Sequence, residues 1–237
     1  MLAAGIVMGW VGSWLLLLPT SLDKLPPTLV IAAVLLRTLM QTGLFIVAHD
    51  AMHGTLWPSR PENNRRIGAF ALFLYAALPY DHCRHNHLLH HRHAGTSLDP
   101  DHHAAGHGSL WAWYVKFMAA YLSPRQLTLL VASWLILFGL SVPFTSSPVA
   151  NAVVYGILPV LLSSAQLFLV GTFLPHGNCQ MSVDGASGAH QPRSLDLPGW
   201  LSLLACFHFG YHLEHHTFPS LAWHELPSAK SHFKNQF

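Results

Sequence analysis

The stretch TLVIAAVLLRTLMQTGLFIVA (28–48) carries one charged residue, Arg37. About 20 mostly apolar residues let a helix cross the hydrocarbon core of a bilayer, where backbone polar groups must bond internally. Runs 1–20, 127–145 and 150–174 read the same way. The expectation is an all-α integral membrane protein with about four transmembrane helices, forming one membrane-embedded domain over 1–237. Charged residues make up 9% of the chain, against about 25% in a soluble domain. No Lys or Arg precedes the first run and no small-x-small site follows it, so it reads as a span rather than a signal peptide. A net charge of +2 leaves no nucleic-acid footprint. Cys83, Cys179 and Cys206 lie too far apart in sequence to indicate a disulfide framework or a zinc ribbon.

Lys and Arg set the orientation. The first short connection holds only Lys24 and the SVPFTSSPVAN connection holds none. Segment 49–126 holds Arg60, Arg65, Arg66, Arg84, Arg92, Lys116 and Arg125, and the C-terminal tail holds Arg193, Lys230 and Lys234. Both termini and both long segments are therefore expected in the cytoplasm, with two helical hairpins opening to that side. All 19 histidines fall in those segments or at the adjoining ends of the spans.

Four histidine groups have spacing that suits a metal. His49 and His53 stand at i, i+4 in HDAMH; His87, His90 and His91 form HLLHH; His212, His215 and His216 form HLEHH; and His176 ends the fourth run. Residues at i, i+3 and i+4 neighbour one another on a helix. Nitrogen-only sites suit Zn, Cu, Fe or Ni, and nine imidazoles suit two ions with four or five ligands each. Structural zinc would favour cysteine, a zinc protease would show H-E-x-x-H, and carboxylate-bridged di-iron bundles would show paired E-x-x-H. With only Glu62, Glu214 and Glu225, the chain has none of these. That favours an all-histidine di-iron centre using O2 beside a lipid substrate. A non-redox membrane metal protein stays open, although a metal carrier would place histidine inside the spans.

The blocks GLFIVAHDAMHG (43–54), HNHLLHHRHAGTSLDPDHH (85–103), LVGTFLPHG (169–177) and FHFGYHLEHHTFP (207–219) resemble the membrane fatty-acid desaturase/hydroxylase superfamily and, within it, the β-carotene ketolases. The resemblance runs over nearly the whole chain. It implies that His49, His53, His87, His90, His91, His176, His212, His215 and His216 hold two Fe ions in a cytoplasmic cap, with O2 as co-substrate. It also implies an external electron-donor protein, ferredoxin being the expected one. The implied substrate is a carotenoid whose β-ionone C4 is hydroxylated twice, the geminal diol losing water to leave a ketone. A carotenoid hydroxylase or an acyl-lipid desaturase with the same centre is the alternative. The lipid bilayer itself, a bacterial inner or cyanobacterial membrane, is the expected location. The sequence sets no oligomeric state.

Asp50, Asp99, Asp101 and Glu214 lie inside the histidine boxes and are expected to serve catalysis by accepting the second ring N–H of bound imidazoles. His82, His85, His93, His102, His103, His107 and His208 read as supporting or surface residues, with His208 the best further ligand candidate. His190, His224 and His232 read as surface. Arg37 is costly in a span and reads as an interhelical residue ahead of a substrate anchor. The carotenoid is expected in a groove between the second and fourth spans and segments 68–80 and 111–122. Phe45, Phe70, Phe73, Tyr75, Trp111 and Trp113 could line it.

Overall fold

A computed structural model describes residues 1–102, 109–176 and 192–234. His103, His107, His190 and Cys179 lie outside them. The described residues form helices and no strand: α1 Leu2–Leu17, α2 Pro27–His53, α3 Pro61–Ala76, α4 Tyr80–His93, α5 Leu110–Tyr121, α6 Pro124–Ser141, α7 Pro148–His176, α8 Gly199–Cys206, α9 His212–Thr217 and α10 Leu226–Lys234.

By length and composition, α2, α6 and α7 can each cross a membrane. Helix α1 is apolar but has 16 residues, about 24 Å at 1.5 Å per residue. It is shorter than the 1–20 run suggests because the chain turns at residues 18–20. Helix α2 has 27 residues and continues beyond the apolar run that ends at 48. Nothing in HDAMH breaks a helix, so it continues to Gly54, whose φ of 77° forms the left-handed cap. The extension keeps His49 and His53 in regular helix.

The connections α1–α2 and α6–α7 meet at one pole. Asn151 Nδ2 donates to Leu18 O (3.1 Å) and Thr20 O (2.7 Å), and Ser146 N donates to Ser21 Oγ (3.2 Å). The C-terminal ends of α2 and α7, which carry His53 and His176, face the other pole. Helix α3 folds back along α2. Close approach there depends on Gly68, where an added Cβ would lie 2.3 Å from the Tyr80 ring and 2.8 Å from Ala51 Cβ.

Arg37 is interhelical, and a proline explains its position. Pro159 in α7 has no N–H to give to the carbonyl four residues earlier, Tyr155 O. Arg37 Nε donates to that oxygen at 2.5 Å and its Nη1 donates to Ser13 Oγ at 2.6 Å. Its guanidinium lies 3.9 Å from the Trp14 ring centroid, a favourable place for a cation away from water. One buried side chain thus joins α1, α2 and α7. Pro159 follows a π-helical stretch, Ala152–Ile157, and a second stretch, Leu169–Phe173, precedes His176.

Candidate metal centre

The nine histidines singled out by spacing converge, in two sets. His49, His53, His87, His91 and His215 form one, and His90, His176, His212 and His216 the other; within each, the candidate ligand atoms lie within 4.8 Å of one another. Each H-x-x-H-H triplet is divided. Successive helical residues rotate by about 100°, so i and i+4 share a direction while i+3 turns away from i+4. His87 and His91 therefore enter the first set and His90 the second. His212 and His216 enter the second set and His215 the first. Helices α4 and α9 each contribute to both sets, α2 completes the first and α7 the second. Residues that neighbour one another along a helix thus serve two different sets.

Helix α9 reaches the cluster through a tight reversal after α8. Phe207 and His208 have φ of 48° and 63°, sparsely populated values for non-glycine residues. Phe207 N donates to Leu203 O (2.8 Å) and His208 N to Ser202 O (3.0 Å), closing the end of α8.

Within each set the Nε2 atoms point inward. His53–His87 are 2.7 Å apart, His87–His91 3.1 Å, His91–His215 2.9 Å and His49–His215 3.1 Å. In the second set His176–His212 are 3.0 Å apart, His212–His216 3.1 Å and His90–His216 3.1 Å. An imidazole Nε2 has a single in-plane hydrogen or lone pair, so it cannot serve two such contacts as ordinary hydrogen bonds. Nitrogens sharing one ion at about 2.1 Å and a right angle sit about 3.0 Å apart. Convergence at these separations fits metal ligation.

Protonation fits as well. Burial, reinforced by neighbouring imidazoles, pushes His87, His212 and His215 well below the usual histidine range and His91 to about 3. These rings are neutral at pH 7, and a neutral imidazole offers a lone pair. Burial also disfavours protonation of His90, but Asp99 and Asp101 outweigh it and move that group up.

The four predicted carboxylates are all buried, at 2% exposure for Asp50, 5% for Asp99, 8% for Asp101 and 4% for Glu214. Asp99 accepts from His90 Nδ1 at 3.0 Å and from the backbone N–H groups of Gly95 and Asp101 at 3.0 and 2.9 Å. Asp50 lies 3.4 Å from His49 Nδ1 and accepts from Trp223 N at 3.2 Å. Asp101 accepts from Tyr121 at 2.7 Å and stands 4.0 Å from His90 Nδ1. Glu214 differs: its hydrogen-bond partner is the Ser194 hydroxyl rather than an imidazole.

His208 belongs to neither set and stacks between Tyr211 and Trp223. His82 reaches Ala120 O at 2.9 Å, and His224 and His232 are exposed.

An apolar cavity with about 1190 Å³ of atom-free space, its open mouth included, ends at His49, His87, His90 and His212. Phe45 and Tyr75 line it as expected. Phe70, Phe73 and Trp111 instead point outward, and Trp113 donates to Asp101 O at 2.8 Å. The expected 111–122 segment contributes Phe117 and Tyr121, whereas sequence reasoning missed Trp134 and Phe209. The single signal for them was an aromatic character shared with many core positions. Helix α6 was expected as a span, yet its Leu127, Leu130 and Trp134 form one cavity wall. At Gly171 an added Cβ would lie 2.7 Å from the Phe209 ring, so glycine lets the α7 backbone approach the cavity.

A sequence profile of the fatty acid desaturase family matches residues 25–130 and 123–237. A β-carotene ketolase from a Paracoccus species is 40% identical over 209 residues, 86% of this chain and 81% of that protein. A second, from another Paracoccus strain, is 38% identical over 208 residues, 86% of this chain and 80% of the relative. A zeaxanthin 4-ketolase of Chlamydomonas reinhardtii is 34% identical over 92% of this chain and 49% of its own length.

Proposed function

The chain belongs to the fatty acid desaturase family, and from that premise we propose that it is a membrane oxygenase converting the C4 methylene of a carotenoid β-ionone ring to a ketone. The observation that carries this reading is the apolar cavity closing on imidazoles of both histidine sets. The ketolase relatives support the substrate class. His49, His53, His87, His91 and His215 would hold one iron, and His90, His176, His212 and His216 a second. The pair would supply reductive activation of O2.

Each pass takes one O2, two electrons and two protons, converts a C–H bond to C–OH and releases one water. Two passes at one carbon give a geminal diol, which loses a third water to leave the ketone. The protein positions the ring and excludes water. Phe45, Phe209 and Leu167 provide apolar surface around the ring. Asp99 and Asp50 fix the orientation of His90 and His49 through Nδ1, directing Nε2 inward. Asp101 and Glu214 support the same shell, Asp101 through Tyr121 and Glu214 through Ser194 and the start of α9.

On this reading α1 is the fourth span, residues 1–237 make one domain, and the histidine-bearing pole is cytoplasmic. That pole would meet a ferredoxin-type electron donor. The carotenoid would enter sideways from the bilayer through the wall made by Phe117, Leu127, Trp134 and Leu161.

The test is pigment analysis of a bacterial host that accumulates β-carotene. Expression is expected to convert β-carotene to 4-keto products, echinenone and canthaxanthin. Only 3-hydroxylated pigment, or unchanged pigment with altered acyl-chain unsaturation, would replace the ketolase reading with the hydroxylase or desaturase one.

A further inference from the structure

Four hydroxyl-bearing side chains line the cavity: Tyr75, Tyr121, Ser164 and Thr172. Three are engaged. Tyr75 pairs with Ser163 at 3.4 Å, Tyr121 donates to Asp101 at 2.7 Å, and Ser164 donates to Leu161 O at 2.9 Å and meets Tyr114 at 2.6 Å. Thr172 is 6% exposed, and its hydroxyl has no hydrogen-bond partner among the described residues.

A helical threonine commonly bonds the carbonyl four residues back. Thr38 does so to Val34 O (2.8 Å), Thr128 to Pro124 O (2.9 Å) and Thr217 to Leu213 O (2.7 Å). Thr172 lies in the π-helical stretch Leu169–Phe173 and makes no such bond. Interruptions of this kind often mark functional sites. Thr172 sits about one turn before His176, and His212 of the same histidine set also lines the cavity. Thr172 therefore brings a hydroxyl without a partner among the described residues to the wall of a mostly apolar chamber, beside the histidines.

Building on the ketolase reading, we propose that the Thr172 hydroxyl hydrogen-bonds the oxygen left on C4 by the first oxidation and holds the 4-hydroxy intermediate for the second. β-Carotene itself is a hydrocarbon with nothing for this hydroxyl to bond. The 4-hydroxy compound has a donor and an acceptor, and an apolar cavity that left them unpaired would favour its escape. Thr172 is thus a positioning residue specific to the second pass, one that discriminates a polar product from its apolar precursor.

The test compares the wild type with T172V, which keeps the shape and removes the hydroxyl, and T172S, which keeps the hydroxyl. Membranes are supplied with β-carotene, 4-hydroxy-β-carotene or a 3-hydroxylated carotenoid. For T172V the ratio of released 4-hydroxy product to ketone is expected to rise roughly three- to tenfold, the span of one neutral hydrogen bond. KM for the 4-hydroxy substrate is expected to rise similarly, KM for β-carotene less, and T172S to restore the wild-type ratio. Equal losses in both passes, an unchanged product ratio, or an effect confined to the 3-hydroxylated substrate would overturn the proposal while leaving the ketolase reading intact. A wild type that oxidises nothing at C4 would overturn both.

Discussion

Replacing His215 with Ala is expected to lower ketone formation by more than about a hundredfold while the protein still enters the membrane. A partner that merely orients a ligand costs about 10- to 100-fold when removed, and a lost ligand should exceed that. His215 is 1% exposed. Its Nε2 lies 3.1 Å from that of His49 and 2.9 Å from that of His91. It is the one residue of α9 in the first set, so its loss removes a nitrogen and the link from α9 to His49 of α2, while His216 still meets His90 of α4. Bound iron should fall together with activity. His232 is exposed and outside both sets, and H232A should stay within about twofold of the wild type, as surface changes usually do. Matching losses in the two variants would show that the ligand set is wrongly drawn.

The second large effect is expected at Asp99. This side chain orients His90 and also binds the N–H groups of Gly95 and Asp101, so it shapes the loop that delivers Asp101. D99A should reduce activity and iron retention by about 10- to 100-fold. D99N should recover only part of this, because an amide has one acceptor oxygen for sites that now use two. Asp81 gives the contrast. It pairs with Arg65 at 2.8 Å, but the two side chains are 69% and 54% exposed, and such pairs contribute little. D81N should change activity by less than about twofold. A D99A enzyme as active as D81N would remove Asp99 from the account.

The sequence was most informative where physics is local. Apolar run length located α2, α6 and α7, since a bilayer demands uninterrupted backbone hydrogen bonding. Histidine spacing brought out the nine residues that converge, because imidazole is rarely clustered without a purpose. The division of each triplet was implicit in helical rotation and became visible only with three other elements around it. Arg37 needed the Tyr155 carbonyl that Pro159 leaves without a helical donor, a contact across 118 positions. The cavity wall was harder still. Whether Trp134 or Trp111 faces the chamber depends on how α5, α6 and α7 pack, and both residues look alike in sequence. Glu214 lies between two of the converging histidines in sequence, yet the short α9 turns it toward Ser194.

The most direct test of the central claim is the metal content of the protein purified in mild detergent, measured alongside its ketolase activity. Five and four converging imidazoles predict two irons per chain, with activity rising and falling with iron. A preparation that forms ketone with zinc and without iron would contradict the account.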